Sequence, residues 1–143
     1  MLKCNLTENE VNNNLYEWLK DYQQLENRIN YLEYQIDKTK MELSRWRSDL
    51  SDVRLEANSR GAKVEQVIDK LESDLAFEII QKQKLLKLIY TFNGLDQEIL
   101  RKKYIEGMTL EGISFELNYN YGYIKRRHSD LKRTIQVLDE WVK

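Results

Sequence analysis

The sequence predicts an all-α protein in which a long N-terminal helical arm, a hairpin or a coiled coil, precedes a small helix-turn-helix domain. Three observations predict this class. Proline is absent and 33% of the residues are charged, which is typical of long amphipathic helices. Apolar residues recur with a seven-residue period in the N-terminal part, and two short amphipathic segments near the C-terminus are separated by about three residues. We therefore divide the chain into an arm, residues 1–93, and a helix-turn-helix domain, residues 94–143.

The apolar period of the arm predicts a first helix over residues 8–57, about 75 Å long at about 1.5 Å per residue. A repeat maintained over this length favours a seam packed against a partner helix, because a straight helix would drift away from the seam. The turn-forming run Asn58–Gly61 should end this helix. The seam consists of two sets of residues: Leu15, Tyr22, Ile29, Ile36, Leu43, Leu50 and Ala57, and Val11, Trp18, Leu25, Leu32, Thr39, Trp46 and Val53.

A second amphipathic helix is predicted over residues 62–92, with a wider and less regular apolar stripe. The short connection between the two helices favours an antiparallel hairpin within one chain, while a coiled coil between chains stays open. Because the first helix is predicted to be the longer one, part of its seam should remain uncovered. We therefore expect a homodimer formed through the arm.

The helix-turn-helix domain is predicted from its capping residues. Gly94 should end the second arm helix, and Asp96 should cap the next one. Thr109 should cap the following helix, while Asn118 stands where a left-handed residue is needed. Asn120 should cap the final helix, predicted over residues 121–135, whose inner stripe is Ile124, His128, Leu131 and Ile135.

Charge distinguishes the final helix from the rest of the chain. The protein has a formal net charge of -1, but residues 121–135 contain five lysines and arginines against Asp130 alone, a net charge of +4. A cationic helix of this kind predicts double-stranded DNA as the partner. Residues that project from its first turns are the candidates for base contacts: Tyr121, Gly122, Lys125 and Arg126. Candidates for phosphate contacts are Thr109, Asn120, Tyr123, Arg127, Lys132 and Arg133.

The segment LDQEILRKKYIEGMTLEGISFELNYNYGYIKRRHSDLKRTI, residues 95–135, resembles the helix-turn-helix of sigma factors that binds the -35 promoter element. The whole arrangement is similar to small phage-encoded transcriptional regulators of the RinA/ArpU type, although the match in motif covers only the last third of the chain. The resemblance implies an activator of phage or prophage late genes. Such a protein would act upstream of a promoter, together with host RNA polymerase, in the bacterial cytoplasm.

Other classes of protein are not expected from the sequence. Cys4 and His128 lie at opposite ends of the chain, so no cluster has the spacing of zinc ligands, and the five glycines form no phosphate-binding loop. We expect no catalysis, metal or cofactor. The single cysteine fits a reducing cytoplasm, and no apolar run has the roughly 18 residues of a membrane span. The remaining alternative is a coiled-coil adaptor or anti-regulator whose helix-turn-helix binds protein in place of DNA.

Overall fold

The computed structural model describes residues 15–48 and 54–142, with side chains at residues 15–45 and 61–139. Within these residues the protein is helical and contains no strand, which confirms the predicted all-α class. A π-helical turn, Arg101–Ile105, directly follows the α-helix that ends at Leu100. The α-helices are α1 (Leu15–Lys20), α2 (Tyr22–Ser48), α3 (Arg54–Tyr90), α4 (Leu95–Leu100), α5 (Leu110–Leu117) and α6 (Tyr121–Val142).

The described helices form two compact units. We call residues 24–82 the arm unit, and residues 15–23 together with 83–142 the head unit. The sequence-based division after residue 93 placed residues 15–23 in the arm, whereas their packing places them with the helix-turn-helix. No helix in the described part of the chain combines the length and the apolar character needed to cross a lipid bilayer.

The arm unit is an antiparallel pair of helices from a single chain. Ion pairs join Lys82 to Glu26 and Lys40 to Glu72, both at 3.4 Å, so the position on α3 falls as the position on α2 rises. These pairs are partly or largely exposed and contribute about 0–1 kcal/mol each. Burial of the apolar seam contributes more to the stability of the arm unit than these ion pairs do. Within the arm unit, the predicted seam residues Leu25, Ile29, Ile36 and Leu43 are buried, as is Ile68 of α3, while Leu32 and Thr39 of the predicted seam are only partly buried.

The arm helices have different boundaries from those predicted. α3 begins at Arg54 and continues through Asn58–Gly61, so the prediction of a turn there is wrong. A Cβ built on Gly61 would lie 3.8 Å from Leu43, an ordinary van der Waals contact, so this position of α3 lies beside α2 and has room for a side chain.

Two further differences concern the first predicted helix, residues 8–57. It is interrupted at Asp21, between α1 and α2, and its predicted parts at residues 8–14 and 49–53 lie outside the described residues. Among the described helices, α3 has 37 residues and α2 has 27. The relative length of the two predicted arm helices depends on residues 8–14 and 49–53, which lie outside the described residues, so the uncovered seam and the homodimer both stay predictions.

The head unit has a core to which the N-terminal helix contributes. Tyr16 and Leu19 of α1 are 8% and 0% exposed, although neither residue belongs to the predicted arm seam. The seam residues Leu15 and Trp18 are only half-buried. α1 therefore buries a second face in the head unit, where it packs against α6. The other fully buried apolar residues of this unit are Tyr22, which belongs to the predicted arm seam, and Leu85, Ile89, Ile99, Leu100, Ile113, Ile124 and Ile135.

The caps of α5 and α6 confirm three of the predictions from the sequence. The Thr109 hydroxyl oxygen accepts a hydrogen bond from the Gly112 N–H at 3.0 Å. Asn118 adopts the left-handed conformation, with φ 60°, and ends α5. The Asn120 side-chain oxygen accepts a hydrogen bond from the Gly122 N–H at 2.8 Å. Residues 118–120 are thus a three-residue turn between the two helices, as predicted.

Two predictions about the head unit need correction. Asp96 does not cap α4: Gly94, with φ 60°, occupies the N-cap position, and the Asp96 carboxylate binds the Arg127 guanidinium. Asp96 is the second residue of α4 and so lies past the cap position. The final helix also extends to Val142, beyond the predicted end at residue 135.

Candidate nucleic-acid interface

Helix α6 is oriented by its buried face. Ile124 and Ile135 are fully buried and Leu131 is 4% exposed, while His128 is half-buried on the same side. Successive residues of an α-helix are rotated by about 100°. The opposite side of α6 therefore faces away from the head core. Gly122 and Arg126 of the predicted base contacts lie on this side, and Lys125 lies on its flank. Tyr121 precedes the buried Ile124 by three residues, about 60° from it around the helix, so it does not lie on the outward side.

Lys125 and Arg126 are the cations of α6 that have no partner among the side chains that the structure describes. Both side chains are exposed, and neither forms an ion pair or hydrogen bond within the described residues. Tyr121, in the first turn, is 41% exposed. Gly122 is partly covered, and a Cβ there would meet only the Asn120 amide oxygen, at 3.1 Å. The N-terminal half of α6 thus presents two uncompensated positive charges beside an aromatic ring.

The other cations of α6 contact neighbouring groups. Arg127 binds Asp96 of α4, with its Nε 3.1 Å from the carboxylate, and this interaction raises the pKa of Arg127. Arg133 donates to the Asp130 carboxylate at 2.6 Å, but both side chains are exposed, so water or a phosphate can replace this contact at little cost. The Lys132 ammonium lies 5.0 Å from the centre of the Tyr16 ring.

The predicted phosphate contacts differ in what their side chains can still donate. The oxygens of Thr109 and Asn120 accept capping hydrogen bonds, which leaves the hydroxyl proton of Thr109 and the amide N–H groups of Asn120 as donors. Tyr123 is 37% exposed, and its ring stacks on that of Tyr119 with centroids 5.6 Å apart. Arg127 is the least available of the set, because Asp96 already neutralises it.

A buried aromatic and histidine cluster supports α6 from behind. Tyr104, in the π-helical turn, lies between the other two members. Its hydroxyl is 3.1 Å from the Tyr16 hydroxyl and 2.6 Å from His128 Nε2. The cluster therefore connects α1, the π-helical turn and α6 through consecutive hydrogen bonds. Burial, together with the hydrogen bond to Tyr16, raises the pKa of Tyr104 above its ordinary value.

The charge around His128 is positive. Burial lowers its pKa, and the nearby ammonium groups of Lys103 and Lys132 lower it further. The histidine is therefore neutral near pH 7 and shares a hydrogen bond with Tyr104, with which it also stacks at an interplanar angle of 30°. Its place on the inner stripe agrees with the sequence prediction.

An ion pair connects the π-helical turn to α5. The Lys102 ammonium donates to the Glu116 carboxylate at 2.9 Å, although the lysine is only 6% exposed. This hydrogen bond raises the pKa of Lys102, against the opposing effect of burial. The stem of Lys102 thus lies in the head core while its charge is compensated at the surface.

Four residues outside the predicted site belong to its structural support: Tyr16, Asp96, Tyr104 and Tyr119. The pair Tyr119 and Tyr123 has a spacing of four residues, which was a usable signal for a stacked pair. Asp96 and Tyr16 lie 31 and 88 residues from their partners Arg127 and Tyr104. No local pattern in the sequence could assign those two contacts.

The described residues contain no group of three or more histidine, cysteine or acidic side chains arranged to hold a metal ion. Comparisons with protein-family models, curated proteins and solved structures give no match to this chain. The geometry of the head unit is therefore the basis on which a function can be inferred.

Proposed function

We propose that the protein is a sequence-specific DNA-binding transcriptional regulator that inserts the start of α6 into the major groove. The observation that carries this proposal is the pair Lys125 and Arg126, exposed and unpaired beside the capped N-terminus of α6. Guanine presents two acceptors in the major groove that suit these cations, and the first turns of a recognition helix are the part that meets base edges.

The proposal assigns the contacts in two groups. Tyr121, Gly122, Lys125 and Arg126 contact base edges. The phosphate contacts are made by Thr109, Asn120, Tyr123, Arg127, Lys132 and Arg133, and they position α6 without carrying sequence information. In this group Arg127 contributes least, since it would have to release Asp96. The acidic groups elsewhere in the chain keep the net charge near zero, which disfavours a nonspecific binder, whose affinity depends on phosphate electrostatics.

The resemblance to RinA/ArpU-type regulators extends the proposal to a biological setting. In this setting the protein activates phage or prophage late genes in the bacterial cytoplasm, from a site upstream of a promoter used by host RNA polymerase. A homodimer formed through the arm would place two heads on DNA. If both heads bind one face of the duplex, the half-sites are separated by a multiple of about 10.5 bp.

The experiment is selection from a random pool of DNA duplexes, with the unmodified protein and Lys125→Ala/Arg126→Ala in parallel. A charge-matched control is Lys63→Ala/Lys70→Ala, which removes two exposed lysines of the arm unit. We expect the parent and the control to enrich the same motif and the α6 variant to lose it. Each lost base contact should cost about 1–3 kcal/mol at its own base pair. Absence of a motif with the parent protein would refute the proposal.

One observation favours the alternative of a protein-binding adaptor. Phe115, on α5, is 87% exposed, the most exposed large apolar side chain among the described residues, and a protein partner of the head unit would cover it. A Phe115→Ala variant that loses regulation in the cell, together with a Lys125→Ala/Arg126→Ala variant that keeps it, would support the adaptor and contradict DNA binding.

A further inference from the structure

Three lysines from separate elements of the head unit lie beside its buried aromatic and histidine cluster. The ammonium groups of Lys20, on α1, and Lys132, on α6, lie 5.6 Å and 5.0 Å from the centre of the Tyr16 ring. Their separation therefore cannot exceed the sum of these two distances. Lys103 belongs to the π-helical turn, and its charge acts together with that of Lys132 to lower the pKa of His128. We call Lys20, Lys103 and Lys132 the lysine cluster.

The positive charge of the lysine cluster is largely uncompensated. Among the side chains that the structure describes, neither Lys103 nor Lys132 has an acidic partner. Lys20 pairs with Glu17 at 3.3 Å, but the two side chains are 47% and 50% exposed, so water or a phosphate can replace this ion pair at little cost. The cluster is therefore a cationic surface that suits an anionic ligand.

The lysine cluster continues one flank of α6. Lys125 precedes Lys132 by seven residues, so both project from the same flank, about 10.5 Å apart along the helix axis. Tyr123 and Arg127 lie two residues on either side of Lys125 and project from the opposite flank, about 160° from it. A helix that fills the major groove has one DNA strand along each flank. The lysine cluster is thus on the side of one strand, and Tyr123 and Arg127 are on the side of the other.

We propose that the lysine cluster binds the phosphates of one DNA strand, so that α1 and the π-helical turn contact DNA together with α6. Phosphates follow one another at about 3.4 Å of helix axis along each strand, so a short run of them can contact lysines from three elements. The inference rests on the proposed function, because it requires α6 to lie in the major groove. It adds Lys20 and Lys103 to the phosphate contacts and extends the DNA-binding surface to the N-terminal helix.

The test compares Lys20→Gln and Lys103→Gln with the unmodified protein on the selected duplex. Dissociation constants are measured by fluorescence anisotropy between about 50 and 200 mM salt. A lysine that neutralises one phosphate contributes about 0.9 to the slope of log affinity against log salt concentration. The loss of affinity in each variant should therefore be about 3.5-fold greater at the lower salt concentration. It should be the same on a duplex with an altered motif, because phosphate contacts carry no sequence information.

Two controls and one variant of opposite sign accompany the test. Glu17→Gln removes the acidic partner of Lys20 and should tighten DNA binding, because the phosphates then encounter less repulsion. Lys63→Gln and Glu33→Gln remove one exposed charge of each sign from the arm unit, and both should leave the salt dependence unchanged. Far-ultraviolet circular dichroism verifies that each variant keeps its helices.

The phosphates themselves are located by replacing them, one at a time, with uncharged methylphosphonates in the selected duplex. We expect a short run of positions on one strand where this replacement weakens binding by the unmodified protein. At these positions the replacement should have little further effect on Lys20→Gln or Lys103→Gln, since a neutral partner has already removed the contact.

The outcomes separate this inference from the proposed function. An unchanged salt dependence in either Lys20→Gln or Lys103→Gln would overturn the inference, and selection of a motif that Lys125→Ala/Arg126→Ala loses would still support the proposed function. The inference also fails if every phosphate keeps its full effect in both lysine variants. Unchanged DNA binding by these variants, together with loss of regulation in the cell, would identify the lysine cluster as a contact for an acidic protein surface. If the unmodified protein selects no motif, the inference and the proposed function both fail.

Discussion

Removal of the Tyr104 hydroxyl, in a Tyr104→Phe variant, tests whether α1 is part of the head unit. This oxygen is hydrogen-bonded to the Tyr16 hydroxyl at 3.1 Å and to His128 Nε2 at 2.6 Å. Tyr104 is 6% exposed, so water has little access to replace the lost contacts. Two hydrogen bonds at about 1 kcal/mol each give an expected destabilisation of about 2 kcal/mol.

The companion variant Tyr16→Phe removes one of the same two hydrogen bonds and should cost about 1 kcal/mol. The double variant should cost about 2 kcal/mol, because the hydrogen bond between the two hydroxyls is already lost when Tyr104 alone is changed. The double-mutant cycle therefore predicts a coupling of about 1 kcal/mol, whereas independent sites add within about 0.3–0.5 kcal/mol.

The assay is urea unfolding followed by the fluorescence of Trp18, a half-buried residue of α1. Substituting the other two tryptophans, Trp46→Phe and Trp141→Phe, makes Trp18 the single reporter. Tyr34→Phe, at an exposed position of the arm unit, is the control and should change the unfolding free energy by less than about 0.5 kcal/mol. Additive effects of the two head substitutions, or no effect of Tyr16→Phe, would refute the packing of α1 against the head.

Three further predictions concern the head unit. The folded state lowers the pKa of His128, the only histidine in the sequence. The unfolding free energy should therefore be highest above about pH 6.5, the pKa of an unperturbed histidine, and decrease as the pH falls below it. In His128→Gln this pH dependence between about pH 7.5 and 5.5 should largely disappear in urea titrations. Asn118→Ala places a side chain without a local hydrogen-bonding group at φ 60° and should cost about 1 kcal/mol in the same assay, whereas Asn118→Gly should not destabilise. Gly107→Ala combines φ 75° with a Cβ 2.4 Å from Gln23 Nε2 and should cost about 1–2 kcal/mol, of which Gln23→Ala relieves only the steric part.

The parts of the fold that were predicted correctly depend on short-range chemistry. The caps at Thr109 and Asn120 each involve a hydrogen bond that spans two or three residues, and the left-handed Asn118 is a property of a single residue. The inner stripe of α6 follows from the helical repeat. Because these features are local, the residue types in one window of sequence are sufficient to predict them.

The features that were predicted incorrectly depend on competition between local and tertiary interactions. Asn58–Gly61 has the composition of a helix end, but α3 is continuous through these residues. Asp96 stands where a capping residue is common, but its carboxylate binds Arg127, 31 residues further along the chain. That distance conceals the partner of Asp96 from a local motif.

The placement of α1 shows why the exposed cations of α6 could be predicted while the contacts that support this helix could not. The exposure of Lys125 and Arg126 could be predicted from the helical repeat, because an exposed side chain needs no contact with a distant part of the chain. The position of the helix that carries them depends on the contacts of Tyr104 with Tyr16 and His128. Tyr16 lies between residues that were assigned to the arm seam, and that assignment predicted no contact of α1 with the helix-turn-helix.

A division of the chain after residue 93 would therefore separate the surface proposed to bind DNA from part of its core. Leu19 of α1 and Leu85 and Ile89 of α3 are fully buried in the head unit, and all three precede that boundary. The C-terminal third contains the side chains that face the proposed ligand, but it lacks the apolar residues that complete the core beneath them. Since burial of such side chains contributes about 1.5–3 kcal/mol each, against total stabilities of about 5–15 kcal/mol, the stability of the head unit that carries α6 depends on residues on both sides of that boundary.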